Sequence, residues 1–498
     1  MDIQLELVPP EFLAVLLAGF GNELSPLTAD YGDEPCLKAL LPLANTPILD
    51  YPLAWLEQSG VKDVLLICPA IHRPAISHHI HSHTYSSLNI DIQSSLEESG
   101  TGVGTCTLLR EFADRIPRDF IILPCDFIPP PSLPLSAILN KFRTDTVSDG
   151  LIATTCWFST PKPEKNVAPD EWGHIAPSVS IVWDKPSSTL LYVDTPDDID
   201  RNSEELELRM SLLSRYPRAT LSSNLQDSHV YVCKRSVLDA LDKKHRFDSF
   251  REEFLPWLCK VQYQRTKRQS YERYSNTMTS TSQALALRHS TLQSKSKYHV
   301  QHLPKSKSSA TSAPQSPLSS DPNPELSPSL RVGLVMHRPE NGIAARVNNV
   351  HTFLEMNRHA SFLVFLATTT YSLPSNPKDR ALIDQKAQIS SDTIIGDSTR
   401  IDERTSIKKS VIGRHCVIGK VVKIVGCVLL DHCVVEDGAK LDGSILGKNT
   451  KVGAKAELVR CVTQAGYEVN AGETVKNEKL EISDWTAGGA SDDSGQDE

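Results

Sequence analysis

Apolar residues along this chain change their spacing three times, and each change marks a region. Up to about residue 262 they come as short continuous runs, among them Leu16-Leu17-Ala18, Val64-Leu65-Leu66-Ile67-Cys68 and Phe120-Ile121-Ile122-Leu123. Runs of this length suit strands buried on both faces. Between them lie stretches with helical spacing, such as Leu108, Leu109 and Phe112 on one face of a helix near 105–113. Strands alternating with helices predict a Rossmann-like α/β domain over residues 1–262, built on a mostly parallel sheet. Ligands of such sheets bind beyond the carboxyl ends of the strands. The loop at Gly19 and the acid at Asp126 both fall at that level.

From 263 to 330 the apolar signal fades into Ser, Thr, Gln, Lys, Arg and Pro. Such a stretch cannot bury enough apolar surface to offset its ordering entropy, which predicts a disordered linker. Its first part is basic, with Arg265, Lys267, Arg268 and Arg273; a solvated tether is the simpler reading, an RNA- or partner-contacting segment the other. Residues 331–384 regain apolar content and predict a bridging strand plus a helix around Val350 to Arg358.

From 385 to 480 a hexad takes over. Ile395, Ile401 and Ile407 are six apart, as are Ile412, Ile418, Ile424 and Leu430, then Val435 and Leu441, then Leu446, Val452 and Leu458. The series slips by one residue at 407→412, 430→435 and 441→446. A helix repeating every 3.6 residues cannot hold that register. One aliphatic residue per short strand, three strands to a triangular coil, predicts a left-handed parallel β-helix. The last stretch, 481–498, is acidic and Gly/Ser-rich, and reads as a disordered tail.

Composition narrows the function classes. With 498 residues there is room for more than one core, and the net charge of −9 gives no global reason to expect sequence-specific nucleic-acid binding. The first residues lack the basic and apolar regions of a signal peptide, and the apolar runs Phe12–Phe20 and Phe362–Ala367 are both too short to span a bilayer. Eleven cysteines are scattered without C-x-x-C or zinc spacing, which predicts reduced thiols in a cytosolic protein.

Candidate chemistry gathers around a glycine-rich turn after the first strand. Gly19 and Gly21 could let backbone N–H groups approach phosphate oxygens, and Lys38 could neutralise their charge. Glu23 opposes this, because its carboxylate would repel a triphosphate. Asp126 follows a buried strand and could hold Mg²⁺ through one oxygen, but no second acid can be placed; Asp227, Asp248 and Glu253 lack a distinguishing context. Gly100 and Thr101 open a glycine-rich turn before a helix; the glycine spacing does not fit a dinucleotide fingerprint, and the turn reads as one that approaches a nucleobase in a mononucleotide pocket, or as a plain tight turn. His78, His79, His81 and His83 read as a solvated stretch rather than a metal site. His415 and His432 inside the hexads leave an acyltransferase as a remote alternative. No catalytic residue, resident metal or cofactor is assigned.

The order of these features resembles a known pairing. A nucleotidyltransferase-like domain followed by a left-handed β-helix occurs in sugar-nucleotide pyrophosphorylases and in two subunits of translation initiation factor 2B. The pyrophosphorylase loop carries Arg where Glu23 stands, then Pro-Leu-Thr and a Lys; here Pro26-Leu27-Thr28 and Lys38 match, and the Arg is lost. Stretches at Asp184–Tyr192, Asn224–Tyr231 and Phe250–Leu258, with Arg346-Val347-Asn348-Asn349 and Glu355-Met356-Asn357-Arg358, are similar to the gamma-subunit family of the initiation factor. That resemblance implies a non-catalytic subunit of the guanine-nucleotide exchange factor for initiation factor 2. It implies pairing with the catalytic epsilon subunit and membership, with other regulatory subunits, of a larger hetero-oligomer. The exchange module of that family lies on a helical domain after the β-helix of epsilon, and the residues after the hexads here are too few and too polar for one. The alternative is an active sugar-nucleotide pyrophosphorylase, which Glu23 argues against.

Overall fold

The computed structural model describes residues 10–31, 35–82, 87–95, 103–159, 179–195, 208–244, 246–275, 330–366 and 377–482. Most of the linker, the tail from 483, and the candidate residues Gly100, Thr101 and His83 lie outside them.

Nine strands form the first sheet: β1 (Phe12–Leu17), β2 (Asp63–Pro69), β3 (Asn89–Ser95), β4 (Asp119–Pro124), β5 (Ala153–Ser159), β6 (Val179–Asp184), β7 (Thr189–Val193), β8 (Ala219–Cys233) and β9 (Val332–His337). Their spatial order is β3-β2-β1-β4-β8-β5-β9-β7-β6. The half from β3 to β4 is wholly parallel. Beyond β4 the sheet is mixed, because β8 runs antiparallel to both β4 and β5 while β9 runs parallel to β5. Strand β1 explains the continuous apolar runs. Leu13 and Val15 enter one core, and Phe12, Ala14 and Leu16 enter the other, so both faces are buried.

Two boundaries differ from those read in the sequence. β9 belongs to the first sheet rather than to a bridge, pairing Val332 with Ala153 and His337 with Phe158. Its apolar run was legible as a strand, but its partners lie far away in the chain. Residues Arg265–Ser275, read as linker, form a helix. Tyr271 anchors it in the core, with its hydroxyl 2.8 Å from Ser236 Oγ, and Arg268 pairs with Glu272 along the helix. One buried aromatic was enough to order a segment whose overall composition is polar.

The hexads build three parallel sheets, of six, six and five short strands. Ile394 pairs with Val411, Val411 with Val428 and Val428 with Ile445, so each coil closes after 17 residues, as six, six and five. The recurrent slip is therefore the coil's short third side. It corrects one interior position: Leu429, not Leu430, fills the coil, and Leu430 faces outward into the contact between domains. Three consecutive apolar residues, Val428-Leu429-Leu430, hid the slip. Behind the aliphatic stack, side chains such as Thr399, Thr405 and Cys433 donate to carbonyls of the next coil.

One outer face of the coil docks on the first domain. Ile394, Val411, Val428, Ile445 and Val462, one per coil, pack with Val350, Phe353 and Leu354 of the helix Val350–Leu366 and with Leu24, Leu27, Leu41 and Leu43 from the loop after β1. Polar contacts frame it. Asn45 donates to the carbonyl of Ile412, Ala44 donates to Asn357, and the Arg358 guanidinium donates to the carbonyl of Gly426.

Candidate functional site

The loop after β1 leaves the sheet at Gly19, which is exposed. Gly21 has φ +82, and a Cβ there would stand 2.7 Å from Lys38 Cβ, so the lysine side chain lies across this glycine. Thr28 Oγ1 donates to the Gly21 carbonyl at 3.0 Å. Glu23 sits exposed on a short turn, whereas its neighbours Leu24 and Leu27 are buried in the interdomain cluster. The apolar residues of this loop thus seat the β-helix.

Asp126 follows β4 and is 1% exposed. Lys38 Nζ donates to its Oδ2 at 2.6 Å. Arg346 approaches from a short strand, Ala345–Arg346, laid antiparallel on Phe127–Ile128, and grips both oxygens: Nε to Oδ1 and Nη2 to Oδ2, each at 3.1 Å. The Asp126 carbonyl also accepts from Val347 N at 2.9 Å. Burial alone would raise the pKa of Asp126, but the charges of Arg346 and Lys38 and their hydrogen bonds outweigh it and hold the carboxyl well below the usual range. Asp126 is therefore a carboxylate with both oxygens occupied by cations of its own chain. Its surroundings do not fit a magnesium ion, and no group of three or more His, Cys, Asp or Glu among the described residues could hold one.

A second buried acid stands nearby. β8 bulges between Asp227 and Tyr231, where His229 takes the left-handed conformation. Asp227 accepts from the His229 N–H at 2.9 Å and from the Tyr231 hydroxyl, with Arg251 at 3.9 Å. Burial raises the pKa of Asp227, offset in part by Arg251. Burial together with the charges of Arg346 and Arg251 drives His229 well below its ordinary value, keeping the ring neutral. Arg346 feels both Asp126 and Asp227, so the two acids share one electrostatic cluster.

The structure thus joins Gly21, Lys38 and Asp126, leaves Gly19 at the rim, and adds Arg346, Asp227, His229 and Arg251. The added residues fall within stretches noted for their family resemblance, yet nothing in their spacing marked them as neighbours. His79 Nε2 lies 2.7 Å from Asp50 Oδ1, so the acidic partner not seen in the sequence does exist, as a hydrogen-bond partner between helices rather than a metal ligand. His415 and His432 stack at successive corners of the coil, 5.0 Å between ring centres.

A nucleotidyl transferase family model matches residues 13–271, and a model described as the EIF2B subunit epsilon LbH domain matches 377–475. The translation initiation factor eIF2B subunit gamma of Schizosaccharomyces pombe is 30% identical over 96% of this chain and 92% of its own length. This chain belongs to the eIF2B gamma-subunit family. The eIF2B gamma subunit of Dictyostelium discoideum is 24% identical over 82% of the chain and 88% of its own length. The eIF2B epsilon subunit of S. pombe is more distant, 21% identical over 48% of the chain and 34% of its own length. Seen as a member of the eIF2B gamma family, the chain keeps the nucleotidyltransferase sheet and the β-helix. The buried acid of its first sheet is paired with Lys38 and with Arg346 of the connector.

Proposed function

We propose that this chain is a non-catalytic subunit of the guanine-nucleotide exchange factor acting on initiation factor 2. It pairs with the epsilon subunit and assembles with the other regulatory subunits in the cytosol. Its relatives' names support membership of that assembly. The observation that carries the non-catalytic reading is the double engagement of Asp126 by Lys38 and Arg346. Attack on an α-phosphorus needs a metal and cationic clamps free to act on phosphate. Here both clamps are spent on the acid that would have held the metal. A nucleotide reaching Gly19 and Gly21 would meet no preformed metal site. No resident cofactor belongs to this reading, and no helix of the described residues is long and apolar enough to cross a membrane.

Two measurements test it. Affinity purification should recover an epsilon-type subunit in stoichiometric amount together with initiation factor 2. Purified chain given nucleoside triphosphates, sugar 1-phosphates and Mg²⁺ should release no pyrophosphate above a D126A control. Turnover that disappears in D126A, or recovery of the chain solely as a homo-oligomer, would overturn the proposal.

A further inference from the structure

On the first domain, away from the Asp126 cluster, basic side chains gather around the helix Arg265–Ser275. Lys244 lies 5.5 Å from the centre of the Trp257 ring, Arg246 lies 5.0 Å from that of Phe247, and the two rings are 6.0 Å apart. Lys260, one turn beyond Trp257 on the same helix, reaches over Tyr192 at 6.0 Å. Lys267 sits among these cations and Arg209. Its own partial burial, and then the charges of Arg246, Lys244, Lys260 and Arg209, hold its pKa below the usual lysine value. None of the five pairs with a carboxylate among the described residues, although the chain is acidic overall at −9. The rings beneath, Trp257, Phe247 and Tyr192, are buried. They fix the positions of the cations and offer no free face.

From this arrangement we infer that the surface formed by Lys244, Arg246, Lys260, Lys267 and Arg209 is a docking site for a short acidic segment of a partner protein. Five like charges held together repel one another, and a polyanion relieves that repulsion while gaining their field. The buried rings argue against single-stranded nucleic acid, which binds by stacking bases on exposed aromatics. A duplex would track a long basic stripe, whereas these five cations gather around one short helix and the rings packed beside it. A short peptide rich in Asp and Glu needs only the patch itself.

The test is fluorescence anisotropy with full-length chain and a labelled short peptide of alternating Asp and Glu, run beside a labelled RNA hairpin over a series of NaCl concentrations. The peptide should bind, weaken as salt rises, and bind at least about tenfold more weakly to K260E/K267E. K451E, a charge reversal on the exposed β-helix surface, should leave peptide binding unchanged. Circular dichroism checks folding, and the milder K260Q/K267Q supplies a second variant, with a smaller loss expected. Absence of peptide binding, equal affinity in all variants, or tighter binding of the hairpin lost in the same variants would each overturn the inference.

Discussion

Arg346 and Asp126 stand 220 residues apart in the chain and meet in a two-point ion pair beneath the loop that carries Gly21. The arginine arrives on the segment leading into the helix that docks the β-helix. The pair therefore ties the connector to the first sheet. Lys38 adds a second cation at Oδ2, the oxygen that also accepts from Arg346 Nη2, and it comes from the loop whose leucines also seat the coil.

Removing one partner of this buried cluster should cost more than removing charge from both. Arg346→Met leaves Asp126 buried with Lys38 alone, and a loss of about 3–5 kcal/mol is expected. The double variant R346M/D126N should lose less than the sum of the two single changes. Urea denaturation of the four proteins measures the cycle; strict additivity would mean the two side chains act independently.

Gly21 should resist substitution. Alanine there must adopt a left-handed backbone and push against Lys38, at a combined cost of about 1–3 kcal/mol. Thermal melting of G21A should show the loss, and shortening Lys38 should not restore it, because the nearest atom, Lys38 Cβ at 2.7 Å, remains and the bond to Asp126 goes.

His229 predicts a dependence on acid. Its pKa is depressed in the folded chain, so the unfolded chain binds more protons below about pH 6.5. The ring's contribution is therefore constant at higher pH and is lost as pH falls through the unfolded value. His229→Asn keeps a residue tolerant of positive φ. Comparing denaturation at pH 7.5 and 5.5, the wild-type chain should lose more stability than H229N; equal losses would remove His229 from the account.

The outer face of the coil can be separated from its interior. Val411→Asp and Val428→Asp place charge in the interdomain cluster without touching the aliphatic stack inside. Limited proteolysis should then cut the docking helix that starts at Val350 faster, while the coil itself stays resistant. Leu429→Ala, which opens a cavity within the coil, should instead cost about 2–5 kcal/mol of coil stability.

These features differ in how far the sequence disclosed them. The coil was nearly all readable, because only one side chain per strand can point inward and the spacing is steric. The single error, Leu430 for Leu429, arose where outward positions are also apolar, since they face the docking helix. Strands β1, β2 and β4 were readable for a similar reason, since strands buried on both faces tolerate no polar interruptions, whereas the polar edge strand β3, Asn89–Ser95, was not read. The mixed half was not, because β8 and β9 find their places through partners far away in the chain. Asp126 was recognisable as a buried acid at the end of a strand. What satisfies it was not recognisable, because a metal ion and a distant arginine leave the same local signature.

The seventeen-residue closure of the coil sets a rule for length. An insertion of one or two residues within a strand would rotate every later turn, swinging the column from Val411 to Val462 away from its helix. Added length fits only at the corners, as protruding loops, or as an entire extra storey. The seam between the two domains thus acts as a ruler on the gauge of the solenoid.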